Sequence, residues 1–544
     1  MMRRAAFLIL LAAAAAATPT GAQAPKFYPD DPLVKEPPPM RVDDARYRKI
    51  NDYYDLFLNT LRSPGQRQPK APPRIRAQSI NTIDEVPDNN WFTNRMGARP
   101  MGIEELTQIA TETPPPAEGS LTIVGAKTEG ITPGFRVRDS RGNDYFLKFD
   151  PLENPELTTA ADVIGALFFR ALGYNVPANH LIVFDPERLV LSRGAMTRDS
   201  KGGMRPISSE DVWEALDRVP RTRDGRFRAV ASAVIPGRII GEFRYHGTRA
   251  DDPNDTVPHE HRRELRGLHV FCAWLNHNDS RSINSLDVLV KDAGGQYIRH
   301  YLIDFGAILG SASVRSNSAR DGNAYFYQFK PAAAQIASLG LYVPKWARAR
   351  YQRSRATGMI NWDAFEPEKW KPNYPNPAFM NRLPDDNFWA AKKVMAFTDE
   401  HIRAIVREGK YSRAEDEERI VRYLIERRNR IGAAYFAQVL PLDNFRVDNG
   451  ELRFDDLAVR YGIAPARNYN AQWYSFDNRT NTREYLDGET SFRLPARAAS
   501  AATGTYYSVD IHGPGEGGKD TKAIIVYIRR EADGWRVAGV ERTW

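Results

Sequence analysis

The stretch AWLNHNDSRSINSLDV, Ala273 to Val288, crowds His277, Asp279, Arg281 and Asn284 together, and YLIDFGAILG follows with Asp304 after a short polar turn. A carboxylate and an amide offer the oxygen ligands that Mg2+ takes, and a separate aspartate can orient or deprotonate a hydroxyl. Asn284 with one of Asp279 and Asp304 suits the first task, and the other aspartate the second. Either stretch alone reads as an ordinary polar turn; two with complementary donors at matched places are hard to obtain by chance. Upstream, Lys148 sits among aromatics in YFLKFD. A lysine buried on a strand needs an anionic partner, which a following helix carrying an acid would supply. Gly125 and Gly130 punctuate GAKTEGITPG before it. Their spacing is that of a P-loop, but Ile131 stands where the phosphate-binding lysine is required, so that reading fails.

Competing chemistries are weaker. His259, His261, His269 and His277 invite a zinc site, yet no H-E-x-x-H occurs and the eight-residue spacings drift around a helix. Cys272, the one cysteine, falls on the apolar face of its helix beside Ala273 and Trp274, which suits a buried structural thiol rather than a nucleophile. No G-x-S-x-G elbow is present, which removes the common serine-hydrolase route.

These residues need elements to hold them. LTIVGAKTEGITPGFRVRDSRGNDYFLKFDP alternates apolar and polar residues in three short runs, which predicts a three-stranded antiparallel meander ending on Lys148. TTAADVIGALFFRALGYNVP has helical spacing, opened by Thr158 and Thr159 and stopped by Gly173 and Pro177. HLIVFD and RLVLS read as a further pair of strands. Leu265, Leu268, Cys272 and Leu275 mark one face of a helix that runs into the Asp279 loop. SLDVLV and YIRHYLI then form a hairpin, with Asp279 on the loop before it, Asn284 at its first strand and Asp304 where the second ends.

HNDSRSIN matches the pattern H-R-D-x-x-x-x-N at His277, Asp279 and Asn284, Arg281 stands where a basic residue often occurs, and Asp304, Phe305 and Gly306 are a literal D-F-G. With Lys148 on the third strand after a glycine turn, residues 120–436 resemble the protein-kinase-like superfamily, and are most similar to atypical bacterial members such as HipA-type kinases or the secreted spore-coat CotH-type. Asn278 replaces the loop's usual arginine, the glycine turn is not G-x-G-x-x-G, and no A-P-E follows. The resemblance implies an α+β fold, a two-lobed protein-kinase-like unit over 120–440 with a β-rich lobe near 120–195 and a helical lobe near 260–440. It implies ATP with Mg2+ or Mn2+: Lys148 would pair the α- and β-phosphates beneath the turn of Gly125 and Gly130, and Asn284 and Asp304 would hold the metal. Asp279, with Arg281 beside it, would accept the proton of a hydroxyl acceptor. The lysine's acid would be Asp162, judged by its distance to Gly173, or Glu156.

The rest of the chain gives these elements a context. MMRRAAFLILLAAAAAATPTGAQAP has two arginines, an apolar run from Ala5 to Ala17 and then small residues, the layout of a signal peptide over 1–24 and too short for a transmembrane anchor. This predicts a periplasmic or secreted protein with no transmembrane span in its mature chain. The 544 residues suggest two or three domains, and a single cysteine leaves core size to stabilise them. A formal charge of +8, spread without a long basic run, gives nucleic-acid binding little support. Residues 25–119 read as an extension and linker around one helix, DARYRKINDYYDLFLNTLR, which wraps a neighbour or stays partly loose. Residues 353–377 are a Trp- and Pro-rich loop region suited to packing. DDNFWAAKKVMAFTDEHIRAIVREG and EDEERIVRYLIERRNRIGAAYFAQVL predict two amphipathic helices. Residues 441–544 read as a C-terminal all-β domain, β-sandwich-like, whose Trp473, Tyr474, Tyr506 and Tyr507 pack a core or stack on sugars, so an envelope or glycan partner would dock there. Two functions follow: metal-dependent phosphoryl transfer from a nucleotide to a hydroxyl acceptor, or an inactive pseudokinase serving as an envelope binding or assembly module. Retention of Lys148, Asp279, Asn284 and Asp304 together favours the enzyme; the export leader, which takes the chain away from free ATP, favours the scaffold.

Overall fold

A computed structural model describes residues 24–544 apart from 109–112, 127–133, 200–202, 489, 514–521 and scattered positions between 329 and 353. The expected leader up to residue 23 lies outside the described residues, as does Gly130. The described chain is mixed α+β, with one large mixed sheet and several antiparallel ones, and no described helix is long and apolar enough to cross a membrane.

The N-terminal extension is tied down along its length. Lys26 pairs with Glu541 at 2.5 Å, and Phe27 packs on Phe476, Tyr506 and Tyr527 near the far end of the sequence. Of the helix expected over Asp44–Arg62 only the second half forms, as Asp52–Phe57 (α1) and a π-helical turn at Leu58–Arg62. The first half is extended because Val42 and Ala45 bury against Ile240, Leu289 and Ile298. Arg48 also bonds both ways across Gly241, its N–H to Ile240 O at 3.0 Å and its carbonyl from Glu242 N at 3.2 Å. Gly241 has φ +100°, and a Cβ there would lie 1.7 Å from Arg48 O, so only glycine admits this approach. Ile103–Thr107 (α2) closes the extension.

Leu121–Ala126 (β1), Gly134–Arg138 (β2) and Asp144–Phe149 (β3) pair antiparallel in sequence order, as the alternation predicts. Tyr145, Leu147 and Phe149 are fully buried on one face of β3, which turns Lys148 to the other. That second face meets Leu157–Leu172 (α3). Thr158 and Thr159 lie inside its first turn rather than capping it. The cap comes from Asp150, whose carboxylate accepts Thr158 N at 2.8 Å, Thr159 N at 2.9 Å and Thr159 Oγ1 at 2.7 Å.

Asn179–Phe184 (β4) and Leu189–Arg198 (β5), expected as a pair, separate. With Met204–Pro206 (β6) and Phe227–Ala233 (β7) the sheet order is β4-β7-β3-β2-β1-β5-β6, in which β5 runs parallel to β1. Every residue of β7 is buried, so its sequence FRAVASA shows none of the alternation that announces a half-exposed strand. Ser209–Leu216 (α4) packs Val212 and Leu216 under the sheet.

Arg263–Leu275 (α5) is buried at all of its positions and delivers the chain to the Asp279 loop. Arg238–Ile239 (β8), which precedes α5, forms a small antiparallel sheet with the hairpin of Ser285–Asp292 (β9) and Gly295–Leu302 (β10) that follows the loop. The helix expected over 385–409 is two, Pro384–Met395 and Asp399–Arg407, because Thr398 accepts from His401 N and opens a second one. Arg427 on the Ala414–Phe436 helix donates to Trp274 O at 2.9 Å, satisfying a carbonyl at the end of α5.

Leu442–Asp448 (β11) and Glu451–Asp456 (β12) form a hairpin. Asn470–Asp477 (β13), Thr482–Tyr485 (β14), Tyr506–His512 (β15), Ala523–Glu531 (β16) and Gly534–Arg542 (β17) form an antiparallel sheet in the order β14-β13-β15-β16-β17. Trp473, Val509, Ile511 and Val526 share one core with Leu442 and Leu452 of the hairpin, while Phe27 packs with Phe476 and Tyr527 in a separate cluster. Trp473 and Tyr507 are buried, so packing accounts for them; Tyr485 is 49% exposed.

Candidate functional site

Lys148 Nζ donates to Asp162 Oδ2 at 2.8 Å and to Asp304 Oδ1 at 3.3 Å, which joins β3, α3 and the chain just past β10. Asp162 is fully buried. Its other oxygen accepts Asn179 Nδ2 and Phe305 N, both at 3.0 Å. Burial works against the charge on Lys148, but the Asp162 and Asp304 carboxylates outweigh it and hold its pKa well above the ordinary lysine value. Glu156 is not the lysine's acid: it stands just before α3, where it accepts Ser412 N at 3.0 Å.

Asp304 has φ +61° and ψ +71°, a left-handed backbone that costs a non-glycine residue about 1 kcal/mol or more. What holds it there is the next residue. Phe305 is fully buried, stacks on Phe169 at 4.9 Å between centroids and meets the His277 ring at 6.0 Å. Gly165 makes room for it, since a Cβ at that position would come within 2.6 Å of Phe305 Cβ. Burial pushes the His277 pKa down, which keeps a neutral ring against Phe305. The Asp304 side chain itself remains 40% exposed.

Asp279 is held from three directions. Asn284 Nδ2 donates to its Oδ2 at 2.9 Å and to its backbone carbonyl at 2.7 Å. Asn373 Nδ2 donates to its Oδ1 at 2.9 Å, and Arg281 closes an ion pair on the same oxygen. Arg281 is gripped in turn by Asp52 of α1, at 2.5 Å. Burial opposes the charge of Arg281, and Asp279 and then Asp52 raise its pKa in spite of it. Asn373 is fixed by Asn278, through a backbone bond of 2.8 Å and a side-chain bond of 3.1 Å. The two halves of the site meet where Ile303 N donates to Asn284 O at 3.0 Å, which sets Asn284 and Asp304 at adjoining strand ends.

Gly125 lies at a register shift in β1, where a Cβ would meet only Met196 O at 3.7 Å. Its backbone needs no glycine on that count, and Gly130, its expected companion, falls outside the described residues. Among the described residues no three His, Cys, Asp or Glu side chains gather as metal ligands. His259, His261 and His269 are taken up by Asp255, Gln66 and the Trp370 carbonyl respectively. The side chains here that could offer oxygen to a hard cation are Asp304 and Asn284. Because Asn284 turns its amide nitrogen to Asp279, its Oδ1 faces away from that residue. Burial pushes the Cys272 thiol up, which makes it a packing residue.

Asp52, Asn179 and Asn373 are the site residues that sequence reasoning missed. All three are single polar residues in segments without a motif; the one signal was that NYP at 373–375 is polar amid packing aromatics. Compared with protein-family models, with curated proteins and with solved structures, the chain matches none.

Proposed function

We propose that residues 120–440 form a two-lobed, protein-kinase-like unit that transfers a phosphoryl group from ATP to a hydroxyl acceptor. The observation that carries this reading is Lys148 bonded to both Asp162 and Asp304, with the Asp279–Asn284 pair one backbone bond away. Phosphoryl transfer is mostly positioning and charge neutralisation, and that set provides a cation for phosphate oxygens, oxygen donors for a divalent ion and a base for the hydroxyl.

Lys148, kept charged by its two carboxylates, binds the α- and β-phosphates. Asp304 and Asn284 would hold Mg2+ or Mn2+, which when bound neutralises phosphate charge. Asp279 orients the acceptor hydroxyl and takes its proton as the new oxygen–phosphorus bond forms and the bond to the β-phosphate oxygen breaks. Arg281, Asn284 and Asn373 fix the carboxylate so that little reorganisation is left for the reaction.

Thermal shift with ATP and Mg2+ or Mn2+, beside transfer assays using α- and γ-labelled ATP, tests the proposal. The parent should gain melting temperature, Asp304→Ala should lose that gain, and Asp279→Asn should keep it while γ-label transfer disappears. An unchanged transfer rate in both variants would end the mechanism. Absence of any nucleotide-dependent shift in the parent would favour the inactive scaffold.

A further inference from the structure

The helix that grips Arg281 is inside out. Asp55 and Asn59, 2% and 3% exposed, face the protein, and Asp52 turns inward to Arg281. Tyr53, Tyr54, Phe57 and Leu61 face outward at 76%, 62%, 52% and 65% exposure. At roughly 100° per residue Tyr53, Tyr54 and Phe57 fall within about a third of the helical circumference, and Leu61 on the π-helical turn extends their exposed face. Ordinary amphipathic helices of a packed protein have the opposite sense.

The surroundings are basic. Between Asp55 and Asp84 the chain contains no acidic residue, while Arg62, Arg67, Lys70, Arg74 and Arg76 fall in that interval. The first four are exposed, and Arg67 folds back on the helix end, donating to Arg62 O at 2.8 Å. The nearby acids point inward: Asp52 to Arg281, Asp55 to the Tyr374 hydroxyl at 2.9 Å, and Glu260 to Gln66 N and Gly247 N, both at 2.7 Å.

We propose that α1 and the turn after it are a docking surface for an anionic lipid bilayer. Aromatic and aliphatic side chains on one face, with Arg62 and Arg67 at the helix end and more basic residues in the segment that follows, are what a helix lying in the headgroup region presents, since the rings enter the acyl boundary and the cations stay with lipid phosphates. A convex stripe on a single helix suits a deformable lipid interface better than a protein partner, which would have to supply a matching groove. This inference does not depend on the kinase reading.

Flotation of the full chain with phosphatidylcholine vesicles, with and without about a third phosphatidylglycerol, tests it. The apolar run from Ala5 to Ala17 is common to all variants, so differences among them report on α1. Binding should require the anionic lipid, weaken with added salt, and fall roughly tenfold or more in Tyr53→Ser/Phe57→Ser/Leu61→Ser. Arg62→Glu/Lys70→Glu should weaken it independently, and melting curves check that each variant is folded. Equal binding to neutral vesicles, or unchanged binding in both folded variants, would overturn the proposal. So would a parental dimer that the triple variant dissociates, because a second copy would then cover the stripe.

Discussion

Asp162 shows how much depends on one carboxylate at zero exposure: one oxygen holds Lys148 and the other holds Phe305 N and Asn179. Asp162→Ala should therefore cost about 3 kcal/mol, read from a denaturant midpoint, because it leaves a buried ammonium half paired and an amide unbonded. Asp52 acts one step further out. If Asp279 is the base, Asp52→Ala should lower kcat by about tenfold, through a misplaced Arg281, while the ATP-induced melting shift stays unchanged. A kcat equal to that of the parent would leave Asp52 as packing alone. At this scale the sequence was legible where spacing is covalent. His277, Asp279 and Asn284 share one loop, and Asp304 is tied to it through a hairpin, so their proximity follows from a short stretch of chain. Asp52 reaches Arg281 across 229 residues and Asn373 reaches Asp279 across 94, through tertiary packing alone, and no local pattern could reveal them.

Among the elements, Gly165 marks where α3 touches the chain past β10. A Cβ on Gly165 would lie 2.6 Å from Phe305 Cβ and 2.7 Å from Ile308 Cδ1. Gly165→Ala should cost about 1–3 kcal/mol by overpacking and speed hydrogen exchange at Phe305 N, since the residue that fixes Asp304 must move. Helical spacing and strand alternation were readable: α3, α5 and β1–β3 stand where periodicity put them. The failures have physical causes. The stretch before α1 is extended because an edge of the small sheet claims its backbone, and β7 is silent because both its faces are buried.

Across the whole molecule, buried charge stitches distant segments. Arg542 on β17 reaches Asp84 of the extension at 2.9 Å and the Leu442 carbonyl at 2.7 Å, while Arg263 on α5 meets the same Asp84 along with Asp385 at 2.9 Å. Lys393 sits in this junction beside Asn94, at 3.1 Å, and the rings of Phe92 and Trp389. Burial pushes its pKa from the ordinary 10.5 down to about 8. Below pH 8 both folded and unfolded chains carry this proton, and the folded state bears the cost of burying the charge. Between about pH 8 and 10.5 the unfolded chain binds more protons, so this group makes stability rise with pH. Lys393→Met should stabilise by about 1–3 kcal/mol near neutral pH, and the gain should shrink toward pH 10 in denaturant titrations.

Phe27, lodged among Phe476, Tyr506 and Tyr527, sets an order of assembly. This residue finds its resting place on strands that a ribosome releases several hundred residues later. Until β15 and β16 exist, Lys26 to Asp31 lack the surface they lie on, however complete the large sheet and its helices are. A nascent chain halted before β13 should thus leave residues 24–32 open to protease, and the finished chain should close them, whereas residues 33–40, bonded to Asn81, Asp88 and Asn254, are seated earlier.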